Sequence, residues 1–423
     1  MRALVSQRVA TFADSGKHGS GIVVGLIDAS GAKRMVAVGV DSAQVFEIGS
    51  ITKTFTATVL ADMALRGEVR LDDPVAQYLP ATVHVPSRNG KQITLLDLAT
   101  QSSGLPRLPT NLAPRDSANP YADYSVDQLY AFLSGYQLTR DIGAAYEYSN
   151  LGMGLLGHAL ALKAGTSYEN LVSRRILTPL GMRETAITLS PALRARLAPG
   201  HDGDGKVVAN WDLPTLAGAG ALRSTARDML TYLAANLDTT TGPLAGAMRD
   251  ARTPRRDAGR PSMQIGLAWH ILSRPAGNIV WHNGGTGGYR SYVGFDPVRR
   301  VGVVVLANVG NANVDDIGFH FLDETLPLQA PPPRRTEIAL DSLVLARYVG
   351  EYEFAPTFHI TVTREGAHLF VQATAQPRFP VYAESDSTFF LKVVDAQITF
   401  RPDGMVLHQN GQHLPGRKVA SNR

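Results

Sequence analysis

Strand-like text stands at both ends of the first 327 residues, and helix-like text fills the middle. This distribution constrains the fold more than any other feature. Residues 21–28 and 34–39 read as strands joined by a hairpin turn over 29–32, and 266–272, 278–282, 291–295 and 301–307 alternate or run apolar in the same way. Between them the spacing predicts helices over 53–66, stopped by Gly67, over 125–134, over 152–163, stopped by Gly165, and over 225–236, capped by Ser224. Shorter helices are predicted over 3–14 and 314–326. Strands that are remote in sequence but few in number are best satisfied by one sheet built from both chain ends, with a helical insertion over about 54–265. Polar motifs at the edges of the two parts then converge where the parts meet.

A run with three consecutive prolines, 328–336, follows and reads as a linker, because proline cannot join a sheet interior. Beyond it about eight short alternating segments, among them 348–352, 359–363, 368–372, 388–392 and 398–400, are separated by turn signals at 364–366 and 402–404. That is the pattern of a small antiparallel barrel or sandwich. The expected organisation is a domain over 1–327, the linker, and a barrel over 337–423, which suits a chain of 423 residues.

Hydrophobic residues make up 44% of the chain and charged residues 18%, the balance of a globular protein. No window of about eighteen apolar residues spans a membrane. The net charge of +4, with no basic stripe interleaved with aromatics, excludes nucleic acid as an expected partner. Arg252, Arg255 and Arg256 lie beside a proline and read as solvated loop charge, as do Arg334 and Arg335. The absence of cysteine removes disulfides and thiolate chemistry. The first ten residues are interrupted by polar positions too early for a signal peptide, so the expectation is a cytoplasmic protein, or a periplasmic or secreted one whose leader is removed. Oligomeric state is not legible.

Three short polar motifs occur in one order: Ser50-Ile-Thr-Lys53, Tyr148-Ser-Asn150, and His282-Asn-Gly284 followed by Gly285. Ser50 opens a helical pattern (Phe55, Val59, Leu60, Met63), which puts Lys53 one turn later on the same face. A serine hydroxyl needs a base for its proton and donors for the oxyanion its attack creates. Lys53 and Tyr148 are candidates for the first task, the latter if a nearby ammonium lowers its phenol below the usual value near 10. Asn150 offers a donor for a substrate amide oxygen. The glycines after His282 let a substrate lie along the backbone. No Walker-type loop, dinucleotide fingerprint or zinc motif is present, and no metal or cofactor is called for.

Each motif also has a structural explanation. Ser50 and Asn150 are reasonable helix caps, Tyr148 an aromatic plug, and the His282 segment a glycine-rich hairpin. The chain carries decoys as well: Ser30 with Lys33 in a hairpin turn, Tyr168 in an amphipathic helix where it reads as packing, and His201 in what reads as a surface turn. A protein that keeps the fold and binds without turnover is the alternative from another class, although it predicts a damaged motif and none is damaged.

Taken together the motifs resemble the serine β-lactamase and penicillin-binding-protein superfamily, in its branch of class C β-lactamases, D,D-carboxypeptidases, D-aminopeptidases and esterases. The likeness runs from about residue 20 to 327 and includes the segments 46–53, 67–74, 95–105, 224–229 and 294–297. The resemblance implies an α/β fold, an antiparallel sheet flanked by helices with an all-helical insertion. It further implies Ser50 as acylated nucleophile and Lys53 and Tyr148 as sharers of the proton transfers, with Asn150 and His282 as substrate contacts. Gly284 and Gly285 would belong to the substrate-binding edge, with the N–H groups of Ser50 and Gly285 as the oxyanion hole. The last domain resembles the lipocalin-like barrels appended to some members. The implied substrates are D-amino-acid peptides, β-lactams or small esters. Histidine at 282 departs from the lysine usual in class C β-lactamases. Its ordinary pKa near 6.5 leads to the expectation that carboxylate substrates bind better as pH falls through about 7.

Overall fold

The computed structural model describes residues 1–12, 19–238, 240–329, 335–355, 358–374, 376, 378–392, 396–409 and 412–419. It divides into two compact units, Met1–Gln329 and Ala330–Arg423. The centre of the proposed linker, 330–334, lies outside the described residues. No helix among the described residues is long and apolar enough to cross a membrane.

The first unit is built on one antiparallel sheet of eight strands. They are β1 (Ile22–Ile27), β2 (Lys33–Val38), β3 (Arg256–Asp257), β4 (Met263–Ile265), β5 (His270–Leu272), β6 (Ile279–Gly285), β7 (Arg290–Asp296) and β8 (Val301–Ala307), in the spatial order β2-β1-β8-β7-β6-β5-β4-β3. The two chain ends meet at the β1–β8 pairing, where Ile22 faces Ala307 and Ile27 faces Gly302. Alternation of side chains sorts these strands between two cores. Ile22 and Val24 of β1, with Val303 and Val305 of β8, face a layer formed by helices α1 (Arg2–Val9) and, near the end of the unit, Asp315–Leu322. Val23 and Ile27, with Val304 and Leu306, face the helical region.

In that region α2 (Thr52–Leu65) is buried on nearly every side from Thr52 to Met63, as befits a helix that crosses the middle of a large core. Its threonines are satisfied locally or by neighbours: Thr56 donates to the Gly218 carbonyl at 2.8 Å and lies 2.6 Å from the Tyr168 hydroxyl. Tyr168 therefore packs, as its setting suggests. Helices α3 (Val126–Gly135), α4 (Asn150–Lys163) and α5 (Ala226–Leu237) complete the main elements, and α5 lies against β1, β7 and β8. The cap of α5 is Thr225, whose hydroxyl accepts from the Asp228 N–H, and not Ser224.

Three other expectations change. Residues 266–269 are not strand: Leu267 N–H donates to the Ala251 carbonyl and Ala268 N–H to the Ala99 carbonyl, so their backbone serves the helical region and not the sheet. His201 is fully buried, its Nδ1 3.1 Å from the Asn308 carbonyl, and ties two segments instead of decorating a turn. The arginines after α5 are anchored: Arg252 donates to the Asn236 carbonyl, Arg255 pairs with Asp250 at 2.8 Å and Arg256 with Asp97 at 2.7 Å.

The second unit is a closed barrel of eight antiparallel strands, from Gly350–Ala355 to Gln412–Lys418. Its core is filled by alternate residues such as Tyr352, Ile360, Val362, Leu369, Phe389, Ile398 and Phe400. The sequence pattern left barrel and sandwich open, and closure decides for the barrel.

Candidate active site

Ser50 sits in a tight turn, Gly49–Ile51, that leads directly into α2. The turn is pinned on three sides. Ile48 N–H donates to the Leu222 carbonyl at 3.1 Å, and the short strand Phe46–Glu47 pairs with Arg223–Ser224. On the sheet side Ser291 of β7 donates to the Ile48 carbonyl at 2.8 Å. Gly49 has φ +50°, and a Cβ there would fall 2.7 Å from the nitrogen of Gly285. A Cβ on Gly284 would fall 2.1 Å from the Ile48 oxygen. Both glycines are thus required by close approach of the nucleophile turn to β6. Gly284 is buried in this packing, whereas Gly285 is exposed.

The helical spacing of Ser50 and Lys53 has the expected result. Lys53 Nζ lies 2.8 Å from Ser50 Oγ, 2.9 Å from Asn150 Oδ1 and 2.7 Å from the Ala219 carbonyl, and the side chain is fully buried. Burial, reinforced by the nearby charge of Arg107, holds its pKa well below the usual lysine range. A neutral amine donates two hydrogens and offers one lone pair. In that form Asn150 and Ala219 would supply the two acceptors, and the lone pair would be left for the Ser50 hydroxyl.

Tyr148 and Asn150 come from the turn at the start of α4. Ser149 is the cap: its Oγ accepts from Gly152 N–H at 2.8 Å and donates to the Pro106 carbonyl at 2.6 Å. Asn150 is the first helical residue and is free to turn its side chain to Lys53. Gln101 accepts from Ser149 N–H at 2.7 Å, which fixes the turn against the segment 101–107. The Lys53 nitrogen is 4.8 Å from the centre of the Tyr148 ring. Burial pushes the Tyr148 phenol up to about 12, and Ser50 and Arg107 offset only part of that rise. This reverses the expectation that a neighbouring ammonium would lower it, because the desolvation of the buried phenol outweighs what lowers it.

His282 is 1% exposed. Its Nδ1 lies 2.6 Å from the Asn283 carbonyl, so Nδ1 carries the hydrogen and Nε2 presents a lone pair with no partner. The ring is 6.3 Å from Tyr148 and 5.1 Å from His270, whose Nε2 is 2.9 Å from the Tyr146 hydroxyl. Burial first, then the charges of His270 and Lys53, keep His282 well below its ordinary pKa. That direction runs against the expected gain of charge near pH 7. His270, Gln101 and the Ala219 carbonyl are site elements that the motifs do not announce. Only the 95–105 segment, which contains Gln101, carried a signal.

Past Trp281, β6 pairs with β7 on one side only, since β5 reaches no further than the His270–Trp281 pair. The backbone of His282–Gly285 thus keeps one edge open beside Ser50, where an extended acyl chain can add as a strand.

A buried lysine on a helical serine, an open strand edge and a helix-borne Tyr-x-Asn turn define a serine-based acyl-transfer fold, in which strand and nucleophile turn are pressed together. The chain belongs to the beta-lactamase family, whose model matches residues 6–320, and is a serine hydrolase of the class C fold. Residues 334–409 match a domain of unknown function, DUF3471. The chain is 31% identical over 276 residues to the D-alanyl-D-alanine-carboxypeptidase/endopeptidase AmpH of Escherichia coli (strain K12), covering 62% of this chain and 70% of that one. It is 29% identical over 309 residues to a beta-lactamase of Pseudomonas fluorescens, covering 64% and 81%. The class C beta lactamase from Rhodobacter sphaeroides superposes with a TM-score of 0.60 at 27% identity, over 72% of this chain and 94% of that one. A beta-lactamase/D-alanine carboxypeptidase from Yersinia pestis shares the fold, with a TM-score of 0.64 at 24% identity, over 77% and 99%.

Proposed function

We propose that this serine acyl hydrolase works through an acyl-enzyme at Ser50. The observation that carries the reading is the buried Lys53 amine, 2.8 Å from Ser50 Oγ and tied by Asn150 and Ala219. Lys53 takes the Ser50 proton as Oγ attacks the acyl carbon, and the carbonyl oxygen gains its charge toward the N–H groups of Ser50 and Gly285. The bond to the leaving group then breaks. Tyr148, held as a phenol, gives that group a proton and recovers one from Lys53. Water attacks the ester, the same groups run in reverse, and Ser50 is released with the acid. Asn150, with its oxygen on Lys53, directs its amide hydrogens at the substrate.

The substrates this supports are D-amino-acid peptides, β-lactams and small acyl esters, the first two in keeping with the names of the relatives. The test is intact-protein mass after brief exposure to a penicillin, with turnover of a chromogenic cephalosporin and of phenyl acetate, and Ser50→Ala as control. A Ser50-dependent adduct or turnover supports the proposal. Wild-type protein that forms no adduct, cleaves none of the three and releases no D-amino acid from a D-alanyl peptide overturns it and leaves a binding protein.

A further inference from the structure

Two guanidinium groups stand near the site, Arg107 beside Tyr148 and Arg260 beside Tyr146 and His270, without an acid paired to them among the described residues. Arg107 is exposed, and its Cζ lies 5.1 Å from the centre of the Tyr148 ring. Its position is built rather than incidental: the Arg107 carbonyl accepts from the N–H groups of Asn150 at 3.0 Å and Leu151 at 3.2 Å. The residue is thereby stapled to the same helix start that carries Tyr148 and Asn150. Among the described residues its guanidinium makes no hydrogen bond or ion pair, whereas Arg140 nearby is paired with Glu147, Arg256 with Asp97 and Arg255 with Asp250. Arg260 is the second such group. It is exposed, follows Gly259, where a side chain would touch the Tyr146 ring, and its charge is felt by both His270 and Tyr146.

The third motif contributes no cation of its own. His282 is buried, with its Nδ1 hydrogen committed to Asn283 and a bare lone pair at Nε2, which accepts hydrogen and does not attract an anion. Positive charge on this side of the nucleophile has moved outward to the arginines, where a planar fork suits a carboxylate. Tyr148 hands its proton to the departing atom, so a group stacked on Tyr148 lies beside the departing fragment.

We propose that Arg107, seconded by Arg260, is the specificity determinant that holds a carboxylate on the leaving-group side of the substrate. The inference rests on the acyl-transfer reading of Ser50 and Tyr148.

The test compares phenyl acetate with 3-carboxyphenyl acetate, which share an acyl group and differ by one carboxylate in the leaving phenol. Each kcat/KM is divided by the rate of hydroxide-catalysed hydrolysis of the same ester. The expected wild-type preference for the carboxylated ester is about tenfold in low salt and shrinks severalfold in 0.5 M NaCl. Arg107→Gln removes most of it, Arg260→Gln about half, and Arg107→Lys keeps part because charge remains without the fork. Equal preference in wild type and Arg107→Gln, or a preference indifferent to salt, overturns the inference while Ser50-dependent ester cleavage leaves the acyl-hydrolase reading standing. Cleavage of neither ester overturns the inference, while the acyl-hydrolase reading then stands or falls on the Ser50-dependent penicillin adduct.

Discussion

Ser291 Oγ donates to the Ile48 carbonyl at 2.8 Å, and this bond joins the sheet to the turn that carries Ser50. The same carbonyl also receives the Ile51 N–H at 3.2 Å, so removing the serine leaves it partly satisfied. Ser291→Ala is expected to cost about 1 kcal/mol of stability. It should lower kcat on phenyl acetate several-fold with little change in KM, because the turn and the Gly285 N–H lose their common register. Steady-state kinetics beside thermal melting check this; a lower melting temperature with unchanged kcat would show that the bond serves stability alone.

Gly284→Ala asks more of the same contact. Its Cβ would overlap the Ile48 oxygen, and the strand must move by about 1 Å or more to relieve it, a displacement that can cost on the order of a hundredfold in rate. The expected outcome is a folded protein by circular dichroism with kcat down about a hundredfold. Near-normal kcat would mean that β6 and the turn are not held as closely as described.

In the proposed mechanism Lys53 must be neutral to act, and its pKa lies well below the ordinary lysine value. Depression of a cationic pKa extends the basic form to lower pH, so acylation should rise with pH through that depressed value and be level well before pH 10. Lys53→Arg cannot lose its proton and is expected to acylate about a thousandfold more slowly. Because His282 is held neutral, it adds no step between pH 5.5 and 8. Rapid-mixing acylation profiles of wild type and His282→Asn should have the same shape in that window; a step present only in wild type would show that His282 titrates there.

His270 is lowered from 6.5 to about 4 by burial, then by Arg260 and Lys53. The unfolded chain takes up this proton below pH 6.5 and the folded one does so only near 4, so stability falls as pH drops through that window. The loss amounts to about 2 kcal/mol at pH 5. His270→Gln retains a polar group for Tyr146 and should show a shallower fall in urea midpoint between pH 7 and 5. Parallel curves for the two proteins would count against a neutral, buried His270.

Arg8 holds Asp316 through two bonds, 3.0 and 2.6 Å, in a pair with side chains only 8% and 3% exposed. Removing the arginine strands a buried carboxylate that also accepts from Gln329 N–H. Arg8→Ala is expected to destabilise the first unit by about 3–5 kcal/mol, and Arg8→Ala with Asp316→Leu by much less. Chemical unfolding of the two variants measures the difference; equal losses would show that the charge left behind is not the cause.

How far the sequence could be read depended on whether a property is local. The Ser50–Lys53 spacing and the Tyr148 and Asn150 turn belong to single helix starts, and their residues meet as the motifs indicate. The strand at 301–307 was legible because five apolar residues in a row suit little but a central strand buried on both faces. Burial is not local. The charge states of His282 and Tyr148, the internal setting of His201 and the anchoring of Arg256 depend on how remote segments pack, such as Asn308 against His201 and Asp97 against Arg256, each more than a hundred residues away. Residues 266–269 misled for the same reason: their backbone partners, Ala99 and Ala251, sit in the helical region.

The β1–β8 pairing joins residue 22 to residue 307, with Ser50 supplied by one side of that closure and Gly285 by the other. If Ser50 and Gly285 act together as proposed, a nascent chain holds no working centre, however much of its helical middle has formed, until the last strands of the sheet are made and docked. Contacts of such long sequence separation form slowly. Appearance of ester-cleaving activity during refolding is thus a clock for the final closure of the sheet, and any partly folded form is spared from hydrolysing what it meets.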